Sequence, residues 1–337
     1  MAKLYAGLDV SQDMTAICVV DARGKVVLET SVATDAKSIG VVLRPFRRSI
    51  EQVGHEVGPL SPLLHEALLK QRFPMVCLDA RKARAAMAAQ RNKTDRNDAQ
   101  AIAILLARGF GGDVHVKSIE AQRAQTLLLF RNTLARKIHE LDRVLGGKFK
   151  QFGAKMKRAA DGTPIIIWPA RGKDADVSAY ATHLLHARAS AASERDALER
   201  LIQAEAKADP ICRRFMTVPG VGPLTALTFR AAVDEPHRFR SSRNLGAYFG
   251  LTPRRFQSGK TDLHGRMSKA GNVEVRAALF QAAHCLLVCT KRESRLRTWG
   301  LRLAQRRSLT HARIACSRKL AVILHRMWIT ETDFAPN

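Results

Sequence analysis

The sequence predicts a chain of three parts: an α/β domain over residues 1–113, a helical coiled-coil arm over 114–209, and a mainly α domain over 210–337. Three observations predict it. Residues 3–31 alternate apolar and polar side chains with the period of strands, and strand-like and helix-like runs then take turns. Two long stretches on either side of residue 165 repeat apolar residues every three to four positions, as long helices do. The last 128 residues carry 23 basic side chains against 7 acidic ones, a composition unlike that of the preceding chain. A length of 337 residues fits two or three domains at roughly 150 residues each.

The elements follow in order. KLYAGLDV, TAICVVD and KVVLETSV read as a three-stranded antiparallel meander, with ARGK at 22–25 as the turn between the second and third strands. Residues 35–50 read as a helix, 52–57 as a short strand, 62–73 as an amphipathic helix, 74–79 as a buried strand, and 81–108 as an Ala-rich helix interrupted near Asn92. Residues 118–152 place Leu127, Leu128, Phe130, Leu134, Ile138, Leu141 and Leu145 at helical spacing, and 177–207 form a second long helix. Between them, 159–176 read as a loop or small hairpin. Two such helices make an antiparallel coiled-coil arm or an ordinary bundle. In the last part, TVPGVGPLTALTFRAAV leads from a Gly-Val-Gly turn into a helix, NLGAYFGLTP is a short helix stopped by Pro253, 254–272 are a polar loop or hairpin, and 273–290 and 296–328 are helical.

Charge narrows the partners. The formal net charge is +26, of which +16 falls in 210–337, where Arg outnumbers Lys by 19 to 4. A basic surface of this size attracts a polyanion by releasing its counterions, and Arg suits bidentate phosphate contacts. Nucleic acid is the expected partner. A membrane is not, since no amphipathic anchor, lipid motif or ~18-residue apolar span is found. An apolar content of 46% excludes a disordered basic tail. Six Cys without a C-x-x-C pair, and an N-terminus without an apolar leader, give the expectation of reduced thiols in a cytoplasmic protein. Cys285 and Cys289 beside His284 stand at i, i+4; with no second ligand pair, buried thiols are expected rather than zinc.

Four acids are placed where chemistry could use them. Asp9 ends the first strand, Glu56 sits in the GHEVG strand, and Asp95 and Asp98 stand three apart in KTDRNDA, on one helix face. Such a set could hold two divalent ions about 4 Å apart for phosphoryl transfer, with Mg²⁺ favoured by hard oxygen donors and Mn²⁺ possible. Singly, each acid is as well explained by a turn, an exposed site or a helix start. Together, on a meander-first α/β domain, they look like a ribonuclease-H-like (RuvC-like) nuclease core. Ser258, in RRFQSGK, is either a Ser-Gly turn residue or a hydroxyl nucleophile beside Arg254, Arg255 and Lys260. VPGVGPL (218–224) resembles a helix-hairpin-helix turn, in which Gly220 and Gly222 either expose N–H groups to a phosphate or let two helices cross closely. Arg238, Arg240, Arg243, Arg254, Arg255, Lys260, Arg266 and Lys269 are the expected nucleic-acid contacts.

LDVS, GHEVG and KTDRNDA resemble the DEDD transposase domain of the insertion-sequence one-ten family. VPGVGPLTA, LGAYFGLTP, QSGK and MSKAGN resemble that family's C-terminal transposase domain. The resemblance covers nearly the whole chain; the IIIWPA loop between the arm helices looks like an insertion. It implies a serine recombinase guided by a bridge RNA that pairs with donor and target DNA in a bacterial, nucleoid-associated setting. Asp9, Glu56, Asp95 and Asp98 match the DEDD set and Ser258 the nucleophile, with Glu51 and Glu66 as neighbouring alternatives for the Glu. It further implies homodimers, joined through the arm, that assemble to a tetramer in which one protomer's serine completes another's DEDD site. The rival readings are a metal nuclease using water and a non-catalytic RNA-binding protein.

Overall fold

A computed structural model describes residues 3–79, 95–110, 114–160, 162–170, 172, 174–258 and 261–336. The chain forms two compact units, Met1–Ile119 and Glu120–Asn337. No helix among the described residues is long and apolar enough to cross a membrane.

The first unit is a mixed five-stranded sheet in the order β3-β2-β1-β4-β5. Strands β1 (Leu4–Val10), β2 (Met14–Asp21) and β3 (Val26–Ala33) form the antiparallel meander. Its second turn is tied by Asp21, whose Oδ1 accepts from the Arg23 and Lys25 N–H groups, and Gly24 takes the positive φ the turn needs. Strands β4 (Ile50–Glu56) and β5 (Met75–Leu78) then add in parallel to β1, with Gly7 level with Gly54. Because side chains alternate across a strand, Leu4, Ala6 and Leu8 face one layer and Tyr5, Gly7 and Asp9 the other.

The first layer holds α1 (Ala36–Leu43) and α2 (Ser61–Lys70), whose Ile39, Leu43, Leu64 and Leu68 close a core over Ala6, Leu8, Ile17 and Val53. The helix expected over 35–50 stops at Leu43. Pro45 lacks the N–H that would continue it, and Arg44–Phe46 tighten into a 3-10 turn. On the other face lies α3 (Asp95–Ala107), packed through Ala99 and Ala103 on Cys18 and Val20, and through Ile102 and Leu106 on Leu78. The earlier part of the expected 81–108 helix lies outside the described residues.

In the second unit, α4 (Ile119–Gln151) and α5 (Ala175–Ala208) are joined by a hairpin of β6 (Lys155–Arg158) and β7 (Pro164–Ile167). Arg131 bonds Glu199 while Asp142 bonds Arg188, so the two helices run antiparallel. Leu128, Ile202 and Ala206 enter the main core of this unit, whereas Leu145, Phe149, Ala154 and Ala181 form a separate cluster with Trp168 at the hairpin end.

The remaining chain is mainly helical: α6 (Pro210–Phe215), α7 (Pro223–Val233), α8 (Asn244–Tyr248), a β8–β9 hairpin (Pro253–Ser258, Thr261–Met267), α9 (Val273–His284), α10 (Arg295–Arg306) and α11 (Leu309–Thr330). Phe215 packs edge-on against Phe229 and Trp328 at its centre. Two expected helices are divided. The 273–290 run turns π-helical at Cys285–Cys289, and the 296–328 run breaks before Ser308, whose Oγ accepts from the His311 N–H and starts α11.

Candidate functional site

The carboxylates are positioned by the contact of α3 with the sheet. A Cβ on Gly7 would stand 2.0 Å from the Ala99 carbonyl oxygen, and one on Gly54 would stand 2.6 Å from Leu106. Two glycines in register thus let the helix lie against the strands. The helix crosses at an angle. Ile104 lies by Gly24 at the Leu4 end of β1, and Ala99 by Gly7. Arg96 pairs with Glu29 on β3, level with Cys18 and hence with Gly7. The first turns of α3 therefore lie toward the Asp9 end of the sheet.

Asp9 follows Gly7 by two residues on the face that α3 covers, and Glu56 follows Gly54 by two on the neighbouring strand. Both are half-buried, as is Asp98 in the first turn of α3. Asp95 begins the same helix; its side chain lies outside the described residues. Of the alternatives, Glu51 pairs with Lys3 at the opposite end of the sheet and Glu66 with Lys70 on α2. Among the described residues no three His, Cys, Asp or Glu side chains converge closely enough to hold an ion. By donor chemistry, carboxylate oxygens at one sheet end suit a hard divalent cation, and the fourth of the set is the undescribed side chain.

Sequence reasoning missed what fixes the end of β4. The Glu56 carbonyl accepts from Ser61 Oγ (2.9 Å) and from His55 Nδ1–H (2.9 Å), and His55 Nε2 then accepts from His65 Nδ1–H at 3.0 Å. The signal was present as GHE followed ten residues on by His65. His55 is 1% exposed, and burial lowers its pKa. His65 is pushed down to about 4 by burial, then by His55 and His115. Both imidazoles stay neutral in the folded protein while the unfolded chain takes up protons below about 6.5. Stability from this pair is present above that value and is lost as pH falls toward 4. The first unit's melting temperature should drop from about pH 7 to pH 5, and His65→Gln should flatten that dependence. Equal slopes for both proteins would contradict the assignment.

Ser258 is the last residue of β8, paired with Thr261 across the turn of the hairpin, and it is exposed, as is every residue of that strand. Arg255 grips Asp262 with two bonds, Nε to Oδ1 at 2.8 Å and Nη2 to Oδ2 at 2.7 Å, which stiffens the hairpin beside the serine. Phe256 and Leu263 remain 75% and 62% exposed. The serine and the carboxylates belong to different units.

The expected nucleic-acid residues divide by environment. Arg240, Arg243, Arg254, Arg255, Arg266 and Lys269 are exposed, and Lys260 lies outside the described residues. Arg238 instead stacks on Phe239 and Tyr248 and donates to the Tyr248 hydroxyl at 2.9 Å. Gly220 has φ +90°, and a Cβ there would meet the Ala282 carbonyl at 2.5 Å and the Leu286 nitrogen at 2.7 Å, so both the backbone conformation of this turn and its close approach to the end of α9 call for glycine. Gly222 caps α7 beside open space. Of the two thiols expected to be buried, Cys289 is exposed, because the π-helical turn presents it outward; Cys285 is half-buried.

A family model described as a DEDD transposase of the IS110 type matches residues 6–152, and one described as the transposase IS116/IS110/IS902 family matches 212–298. The transposase for insertion sequence element IS1111A of Coxiella burnetii is 29% identical over 327 residues, 94% of this chain and 87% of the relative. A probable family 20 transposase of Pseudomonas aeruginosa is 29% identical over 86% of this chain and 82% of its own. The pilin gene-inverting protein of Moraxella bovis is 38% identical over 69 residues, 20% of this chain and 21% of its own.

Proposed function

Since the chain belongs to the IS110 family of insertion-sequence transposases, enzymes that process DNA, we propose that it cleaves and rejoins DNA strands through a phosphoserine bond at Ser258, in partnership with the carboxylates of its first unit. The observation that carries this is the seating of α3 on Gly7 and Gly54, which brings Asp9, Glu56 and the start of α3 toward one end of a mixed sheet. The strand order β3-β2-β1-β4-β5, antiparallel then parallel, supports a RuvC-like reading of that unit.

Asp9, Glu56, Asp95 and Asp98 would hold Mg²⁺ or Mn²⁺, whose positive charge supplies Lewis-acid stabilisation at a phosphate. Ser258 Oγ gives its proton to solvent and bonds to phosphorus, the bond from phosphorus to one deoxyribose oxygen breaks, and that oxygen takes up a proton from solvent to leave as a hydroxyl. Arg254 stabilises the charge on the phosphoryl oxygens, while Arg255, held by Asp262, keeps the hairpin in shape. A hydroxyl from a second strand then attacks the phosphoserine and displaces Oγ. The linkage conserves the bond energy, so joining needs no ATP. Partial likeness to a protein named for inverting a gene supports strand exchange over simple cutting.

The +16 charge of 210–337 supports binding of donor and target DNA with a structured bridge RNA, whose pairing carries the sequence choice while the protein reads backbone. Exposed Leu129, Phe130, Tyr180 and Leu201 on α4 and α5 support an arm that joins protomers into dimers, which then assemble to a tetramer.

The test is to trap a cleavage reaction in denaturant and look for protein–DNA adducts. Wild type should form them and Ser258→Ala should form none. Cleavage by Ser258→Ala at the wild-type rate would make water the nucleophile and overturn the covalent route.

A further inference from the structure

We propose that the outward face of α10, with the neighbouring start of α11, is a docking surface for the sugar–phosphate backbone of nucleic acid. Residues 291–326 contain eleven Lys and Arg and one acid, Glu293. The shorter family match ends at residue 298, so most of both helices lies beyond it. This surface rests on the nucleic-acid reading above and gives it a second location, apart from the Ser258 hairpin.

At 3.6 residues per turn, Arg295, Arg302 and Arg306 fall within an arc of roughly 40° on α10. All three are exposed, and among the described residues none of them is in an ion pair. Other guanidinium groups of this unit have acids, Arg131 with Glu199, Arg158 with Asp142 and Arg255 with Asp262; what marks α10 is that its exposed Arg stand in one row, in a stretch with a single acid. The stripe spans roughly 16 Å, the axial length of about five base pairs. Arg295, Arg302, Thr298 and Trp299 line a groove of about 430 Å³, with Glu293 and Ser294 at one end. Lys319, from α11, sets its Nζ 3.8 Å over the Trp299 ring and adds a further exposed cation. Arg307 is exposed at the break between the helices.

The opposite face of α10 is already committed. Leu296 is buried, and Gly300 lies against Leu287 and Cys316, with no room for a Cβ. A helix that inserts into a membrane surface needs its apolar side free. Here that side belongs to the core, and what remains is polar and cationic. Unpaired Arg in a row repel one another, and phosphates spaced along a strand relieve that repulsion while releasing counterions.

The test compares the full chain with the triple variant Arg295→Gln, Arg302→Gln, Arg306→Gln and with the matching triple Arg→Lys variant. Affinity for duplex DNA, duplex RNA and single-stranded RNA is measured from about 50 to 200 mM salt. The Gln variant should lose about two to three units of the log–log salt slope on at least one of these, near 0.9 for each phosphate contact removed, and the Lys variant should keep it. The nucleic acid with the largest loss identifies which strand docks here. An unchanged slope and affinity on all three, with circular dichroism unchanged, would place the contacts elsewhere. So would a loss confined to anionic phosphatidylserine vesicles. A flat salt response of the wild-type chain would remove the broader nucleic-acid reading with it, whereas a steep wild-type slope matched by the Gln variant removes this surface alone.

Discussion

Asp98→Asn will slow strand cleavage about a thousandfold and leave the fold in place. A carboxylate that helps to hold a cation at the scissile phosphate supports several kcal/mol of transition-state stabilisation, and each 1.36 kcal/mol is tenfold in rate. The amide keeps the shape of the side chain but not its charge. Its structural cost is small, because Asp98 stands in the first turn of α3, where losing a negative charge beside the helix N-terminus costs about 1 kcal/mol at most. The two effects are thus separable: single-turnover cleavage should collapse while the melting temperature moves by only a few degrees. Glu66→Gln is the contrasting change, since Glu66 pairs with Lys70 on the helix layer across the sheet, and it should cleave at the wild-type rate. An Asp98→Asn protein that cleaves within about tenfold of wild type would remove this carboxylate from the chemistry.

Asp142→Ala will destabilise the second unit by about 3–5 kcal/mol, the range for removing one partner of a buried ion pair. Asp142 is 5% exposed and joins three pieces of chain. Arg188 from α5 donates to its Oδ1 at 2.7 Å, Arg158 from the hairpin donates to its Oδ2 at 2.6 Å, and both guanidinium groups also reach the Gly162 carbonyl. Burial alone would raise the carboxyl pKa, but the two Arg bonds outweigh it and hold the group below its ordinary value. The Arg158 side chain is about half exposed, so its bond adds little. The cost comes from Arg188, 7% exposed and left charged without a counter-ion. Calorimetry should show the transition of the second unit shifted down and that of the first unchanged. Adding Arg188→Met to Asp142→Ala should recover part of the loss, because an apolar pair of similar volume removes the stranded charge. A single Asp142→Ala variant as stable as wild type would mean that the hairpin is held by the Phe149–Trp168 contact instead.

Much of the first unit could be read from residues alone. The meander is visible because its period of two and its Asp-x-x-Gly turn are local features. The position of Glu56 beside Asp9 was only half visible, since Glu51 and Glu66 stood nearby along the chain as alternatives to it. They separate once β4 is laid parallel to β1, which sends Glu51 to the far end and Glu66 to another layer. Helix ends were misread where a single residue decides them: Pro45 ends α1, and Ser308 starts a new helix inside an unbroken Arg- and Leu-rich run. Gly220 was open between holding a phosphate and permitting a crossing. The Ala282 carbonyl, sixty-two residues away in sequence, shows that the turn lies close against α9.

Taken by itself, the sequence determined the type of most elements of the first unit and of the long helices, the gathering of positive charge into the final third, and which acids and which serine are candidates for phosphoryl transfer. All of these follow from periodicity, side-chain chemistry and formal charge, which belong to each residue and its near neighbours. Tertiary structure alone decided that Gly7 and Gly54 share a register under α3, that His55 and His65 meet behind Glu56, and that three Arg of α10 stand unpaired in one row. Each depends on which distant segment packs against which, and that is set by the mutual burial of surfaces far apart along the chain.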